Sequence, residues 1–108
     1  MASAKLVLIY PRPRDEAAFE QAYRDMHLPM VEQKLKGLNR YVAGKVTGSP
    51  QGATRTYRIC EAHFSTIEAL NECLASDGCR EWLEHAKSIS TGGPPIILLC
   101  DEESFLYW

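Results

Sequence analysis

Apolar residues along this chain follow two rhythms, one of period two and one near 3.6. The run KLVLIY at 5–10 is short, apolar and rich in β-formers, and PRPR cuts it off, which predicts a buried strand. Asp15 then suits an N-cap for a helix starting at Glu16. Phe19, Tyr23, His27 and Met30 follow at spacings of four, four and three, with Ala22 and Met26 beside them, so they share one helical face. Pro29 cannot donate to the carbonyl of Asp25, and a kink or an end is expected there; Gly37 is placed to stop the helix at C′.

Residues 38–48 and 54–64 alternate and flank the turn-rich GSPQGAT, which predicts two antiparallel, adjacent strands. Strict alternation in the second puts Tyr57, Ile59, Glu61 and His63 on one side and Arg58, Cys60, Ala62 and Phe64 on the other. STIE at 65–68 reads as a capping box with Ser65 as the cap. The helix it opens buries Ile67, Leu70, Cys73 and Leu74, breaks at Asp77 and Gly78, and resumes with Cys79, Trp82, Leu83 and Ala86 inward. After STGGPP, IILLC at 96–100 is a wholly apolar final strand.

The order β-α-β-β-α-β predicts an α+β, ferredoxin-like fold: a four-stranded antiparallel sheet with helices on one face, one domain over residues 1–108. A last strand without polar alternation has to be covered on both faces, and a second copy of the same sheet is the simplest cover, so a homodimer is expected. The apolar FLYW at 105–108 is expected to dock on that partner.

A net charge of −2, with acidic and basic residues interspersed, leaves no basic stripe, so nucleic acid is not an expected partner. The apolar stretch before Pro11 is too short for a signal-peptide core or a membrane span, which predicts a cytoplasmic protein with no membrane partner. Cys60, Cys73, Cys79 and Cys100 show no CxxC spacing and read as buried thiols in a reducing compartment.

The elements beginning with FEQAYRDMHLPMVEQKLKGLNRYV and YRICEAHFSTIEALNECLASDGCREWLEHA carry a resemblance. Phe19, Tyr23, the His27-x-Pro29 pair, Gly37-Leu38 followed by Tyr41, the Phe64-Ser65 junction and a late strand together resemble the EthD family, over roughly residues 5–103. The resemblance implies a dimeric α+β barrel with a pocket between sheet and helices in each subunit. Related barrels include lactone isomerases, cofactor-free monooxygenases and polyketide-tailoring enzymes.

His27 is the candidate catalytic residue, because imidazole exchanges a proton near neutral pH without a large environmental shift. Tyr10, Tyr23, Tyr41, Tyr57 and Trp82 can face the gap between helices and sheet and supply an apolar wall with hydroxyl donors, suited to a small hydrophobic or aromatic molecule. His63, on the strand face of Tyr57, joins them as a candidate binding residue, whereas His85 at the edge of its stripe is expected to face solvent. The histidines have no metal-ligand spacing and no glycine loop cradles a phosphate, so neither a metal nor a cofactor is expected. Cys60 is expected outside the pocket, on the far side of its strand.

The leading expectation is a metal-free catabolic or tailoring enzyme of the isomerase, lyase or oxygenase kind, with His27 as general acid/base. A non-catalytic dimeric binding protein for a hydrophobic metabolite is the alternative. A scaffold whose interior is filled by its own side chains is a third.

Overall fold

The computed structural model describes residues 3–107. Strand β1 (Ser3–Pro11) leads to α1 (Glu16–Ala22), a π-helical turn at Tyr23–His27, and α2 (Leu28–Lys34). Strands β2 (Arg40–Lys45) and β3 (Thr56–Phe64) follow, then α3 (Ile67–Leu74), α4 (Asp77–Ile89) and β4 (Ile96–Glu102). The strands form one antiparallel sheet in the order β2-β3-β1-β4, the α+β, ferredoxin-like topology.

Alternation along β1 sends Ala4, Leu6, Leu8 and Tyr10, all fully buried, toward the helices. In register with them, Cys60, Ala62 and Phe64 of β3 complete the floor of the core, and Phe19, Tyr23, Leu70, Cys73, Trp82 and Ala86 roof it. The opposite face carries Val7, Ile59 and Val42 and, from β4, Ile96 and Leu98; among the described residues no helix covers it. Ile59, Val42, Leu98 and Ile96 are 37–55% exposed there. The molecule is a slab 20 Å thick, the depth of one sheet and one helix layer.

Four local expectations are corrected. The cap of α3 is Thr66, one residue later than expected, with its side chain accepting from the Ala69 N–H at 3.0 Å. Ser65 instead accepts from the Asn39 amide at 3.3 Å, tying the start of α3 to the loop before β2. Pro29 does not end the helical stretch, which runs through the π-turn into α2. The π-turn absorbs it: the Leu28 N–H bonds to the Tyr23 carbonyl, five residues back, and Pro29 sits in the first turn of α2, where a missing N–H costs little. Gly37, at φ +77°, makes the left-handed turn out of this segment, but it lies beyond the Leu35 cap rather than directly after the helix.

The fourth correction is in β3. Its pairing with β1 slips between Tyr10 and Pro11, which face Arg58 and Thr56, so Tyr57 is an extra residue in the ladder. The bulge turns both Tyr57 and Arg58 toward α1. There the Tyr57 hydroxyl donates to Glu20 at 2.5 Å and the Arg58 guanidinium grips the same carboxylate at 2.7 and 2.9 Å. Strict alternation fails at this point, and with it the expected separation of Tyr57 from Cys60.

Candidate functional site

The π-turn decides where His27 goes. One extra residue in the turn lets both Tyr23 and His27 point at the sheet, and both are buried. His27 is fully enclosed. Its Nε2 lies 3.2 Å from the Tyr10 hydroxyl on β1, and its Nδ1 lies 2.9 Å from Nδ1 of His85 on α4. The ring stacks on Trp82, with centroids 4.9 Å apart and planes 19° from parallel, and His85 meets it edge to edge through the two Nδ1 atoms, with centroids 5.1 Å apart. Both ring nitrogens of His27 are therefore engaged, one with a phenol and one with a second imidazole. For two Nδ1 atoms at this distance, one carries the hydrogen and the other accepts it.

Burial, reinforced by the neighbouring His85, drives the His27 pKa down to about 3. The ring is neutral at physiological pH, and the expectation of proton exchange near neutrality without a large environmental shift is corrected, since burial imposes such a shift. Burial likewise pushes the Tyr10 phenol well above its usual range, with the Cys60 and Tyr23 groups adding to it, so Tyr10 stays protonated and hydrogen-bonding. The Trp82 indole Nε1 is buried and has no acceptor among the described residues, an orphaned donor beside the imidazole stack.

Tyr23, Tyr41 and Cys60 form a second group against the first. The Tyr23 hydroxyl lies 3.0 Å from that of Tyr41 and 3.3 Å from Cys60 Sγ. The Arg58 guanidinium lies over the Tyr23 ring, 4.5 Å from its centroid. Cys60 thus belongs to the buried cluster rather than outside it. Burial raises its thiol pKa despite hydrogen bonds from the two tyrosines, which leaves it a poor nucleophile. Tyr57 sits at the far edge with Glu20 and Arg58, its phenol pushed up to about 12 by burial and by Glu20.

Of the expected site residues, the fold brings Tyr10, Tyr23, Tyr41 and Trp82 around His27, and Phe19 links Tyr57 to them by edge contact at 5.5 Å. His63 is placed elsewhere. It lies on the helix-free face of the sheet, because alternation carries it opposite Ala62 and Phe64. Its two nitrogens approach Glu61 at 2.9 Å and Glu102 at 3.1 Å, and Lys5 Nζ sits 3.3 Å from both carboxylates. Glu61, His63 and Glu102 are grouped closely enough for a metal, but the cation held between the two carboxylates is Lys5.

His85 is the residue that sequence reasoning missed. Its place three residues after Trp82, about one helical turn, was the available signal. It is half-buried rather than solvent-facing and is the outer member of the chain Tyr10–His27–His85. Its outer side lines a shallow groove of about 660 Å³ with Met30, Arg80, Glu81 and Glu84. The open hollow expected directly over His27 is closed by Tyr10, Tyr23, Trp82 and His85, and His85 is what separates His27 from that groove.

No family model matches the chain. An uncharacterized 11.0 kDa protein of the thcB-thcC intergenic region of Rhodococcus erythropolis is 26% identical over 102 residues, 94% of this chain and 97% of that protein. An ethyl tert-butyl ether degradation (EthD) family protein from Bacillus halodurans superposes with a TM-score of 0.84 at 26% identity, covering 94% of this chain and 99% of that one. The hydroxynitrile lyase of Passiflora edulis has the same fold, with a TM-score of 0.73 at 7% identity and 97% of each chain covered. The chain resembles the EthD family along nearly its whole length, and it shares its fold with that lyase.

Proposed function

We propose that this protein is a metal-free, small-molecule catabolic or tailoring enzyme of the isomerase, lyase or oxygenase kind, in which His27 moves a proton. The observation that carries this reading is the neutral imidazole held at both nitrogens between Tyr10 and His85. Tyr10 fixes the orientation of the ring, as the third member of a catalytic triad orients its base. The half-buried His85 acts as a gate: when its ring swings outward, Nδ1 of His27 opens onto the groove and a substrate atom takes the place of the His85 nitrogen. When the product leaves and His85 swings back onto Nδ1, it takes the proton and carries it on to solvent, because a ring with so low a pKa cannot retain it. Trp82 offers its orphaned N–H to a substrate oxygen. No step in this scheme draws on a bound cofactor.

The assembly is a homodimer closed over the bare sheet face, and Phe105, Leu106 and Tyr107, exposed and not folded back on their own chain, dock on the partner. Four free cysteines among the described residues are in keeping with a cytoplasmic setting.

The test is a turnover screen on cyanohydrins, lactones and hydroxylated aromatics, followed by His27→Gln and His27→Ala on any substrate found. Both substitutions should lower kcat/KM by about 10²–10⁴-fold, the usual contribution of a positioned acid/base. A variant without His27 that keeps the full rate overturns the proposal. Saturable binding with no product across the screen would make the protein a binding module instead.

A further inference from the structure

A second cavity, of about 340 Å³, opens between the start of α1 and the end of α4, away from the groove beside His85. Ala18, Phe19 and Ala22 wall it on one side and Ile89 on the other; Phe19 and Ile89 are nearly fully buried and form its floor. Its rim is polar. The Arg14 backbone N–H donates to Thr91 Oγ1 at 3.0 Å, closing the rim and leaving the threonine hydroxyl hydrogen free to donate. The Asp15 carboxylate is turned back to its own helix, accepting from the Ala18 N–H at 3.1 Å. Ser88 likewise donates to the His85 carbonyl at 2.6 Å. Among the described residues the Arg14 side chain enters no ion pair.

An apolar cleft with one uncommitted guanidinium and one hydroxyl at its mouth matches a ligand with an apolar body and a single anionic oxygen group. Its volume is at the small end for ligand pockets, enough for one ring or a short chain. Arginine is suited to such a group because its planar fork meets a carboxylate with two donors. The cleft also lies next to the proposed catalytic stack: Phe19 stacks on Tyr23 at 5.9 Å, and Tyr23 leans on His27 at 5.6 Å.

We infer that this cleft binds a small apolar carboxylate, with the ring or chain between Phe19 and Ile89 and the acid at Arg14 and Thr91. The inference stands on its own cavity and does not depend on the proton-transfer reading.

The experiment is a titration followed by two-dimensional amide NMR, with benzoate as the probe and benzyl alcohol as its uncharged counterpart. Both should saturate, with shifts concentrated at Ala18, Phe19, Ala22, Ile89 and Thr91, and benzoate should bind about threefold or more tightly, the scale of an exposed ion pair. Arg14→Ala should abolish that preference, and Ala22→Leu, which fills the cleft, should weaken both probes. Binding should persist in His27→Gln, which separates this inference from the catalytic one. Absence of saturation, shifts centred on Ile59 and Leu98, or a benzoate preference that survives Arg14→Ala would each overturn it.

Discussion

His27 is held neutral at a cost that becomes visible as the pH falls. An imidazole free in the unfolded chain takes up its proton near pH 6.5, while the buried ring resists it down to about 3. The native state therefore binds fewer protons than the unfolded one between these values, and stability is lost as the pH drops through that window. The loss attributable to this ring approaches about 1.4 kcal/mol per pH unit once the pH is well below 6.5. Chemical denaturation between pH 7.5 and 4.5 should show the wild-type midpoint falling more steeply than that of His27→Gln; equal slopes would mean that the ring is not kept neutral. Much at this scale was legible in the sequence. The spacing of Phe19, Tyr23 and His27 placed the histidine on the inner face beside Tyr23, while Tyr10, Tyr41, Tyr57 and Trp82 came from the strands and the later helix. His85 was not legible, because its contact with His27 joins residues 58 positions apart, and a stripe drawn on one helix does not report what crosses from another.

Among the elements, the strands were readable to within three residues, β2 and β3 from their period of two and β1 and β4 from unbroken apolar runs. Two of the misreadings fall where one residue is added without a change of composition. The π-turn adds a residue to a helix and the Tyr57 bulge adds one to a strand, and in each case the later side chains are re-aimed. Both insertions serve the buried cluster: one delivers His27, and the other brings Tyr57 and Arg58 onto Glu20. The position of α4 depends on Gly78. A Cβ there would lie 2.5 Å from the Lys34 carbonyl oxygen at the end of α2, so the two helix ends meet backbone to backbone. Gly78→Ala should destabilise the fold by about 1–3 kcal/mol through this overlap, measurable as a lower urea midpoint. A variant as stable as the wild type would show that the close approach is dispensable.

For the molecule as a whole, thickness is the informative dimension. A two-layer slab leaves one side of its sheet to solvent, and here that side presents isoleucine, valine and leucine. The proposed homodimer supplies the missing layer, and charge placed in the middle of the face should prevent it. Ile59→Lys and Leu98→Lys should convert a dimeric species into a monomer by light scattering at micromolar concentration. A wild-type protein that is monomeric under those conditions would sink the proposal. The whole-molecule topology was the most legible level of all, since element order and the unbroken apolarity of IILLC are properties of long stretches that no single insertion disturbs.

The contact between two like nitrogens, one on each histidine, has a last consequence. Nothing in the pairing of Nδ1 with Nδ1 sets a preferred direction: the hydrogen can reside on either ring, and the phenol beyond can donate or accept to match. The direction comes from the surroundings: burial keeps a second proton off the His27 ring, so a proton arriving there moves outward through His85. A hydrogen taken from a substrate by this route is exchanged with solvent, and in heavy water such a reaction would leave its isotopic record on the product.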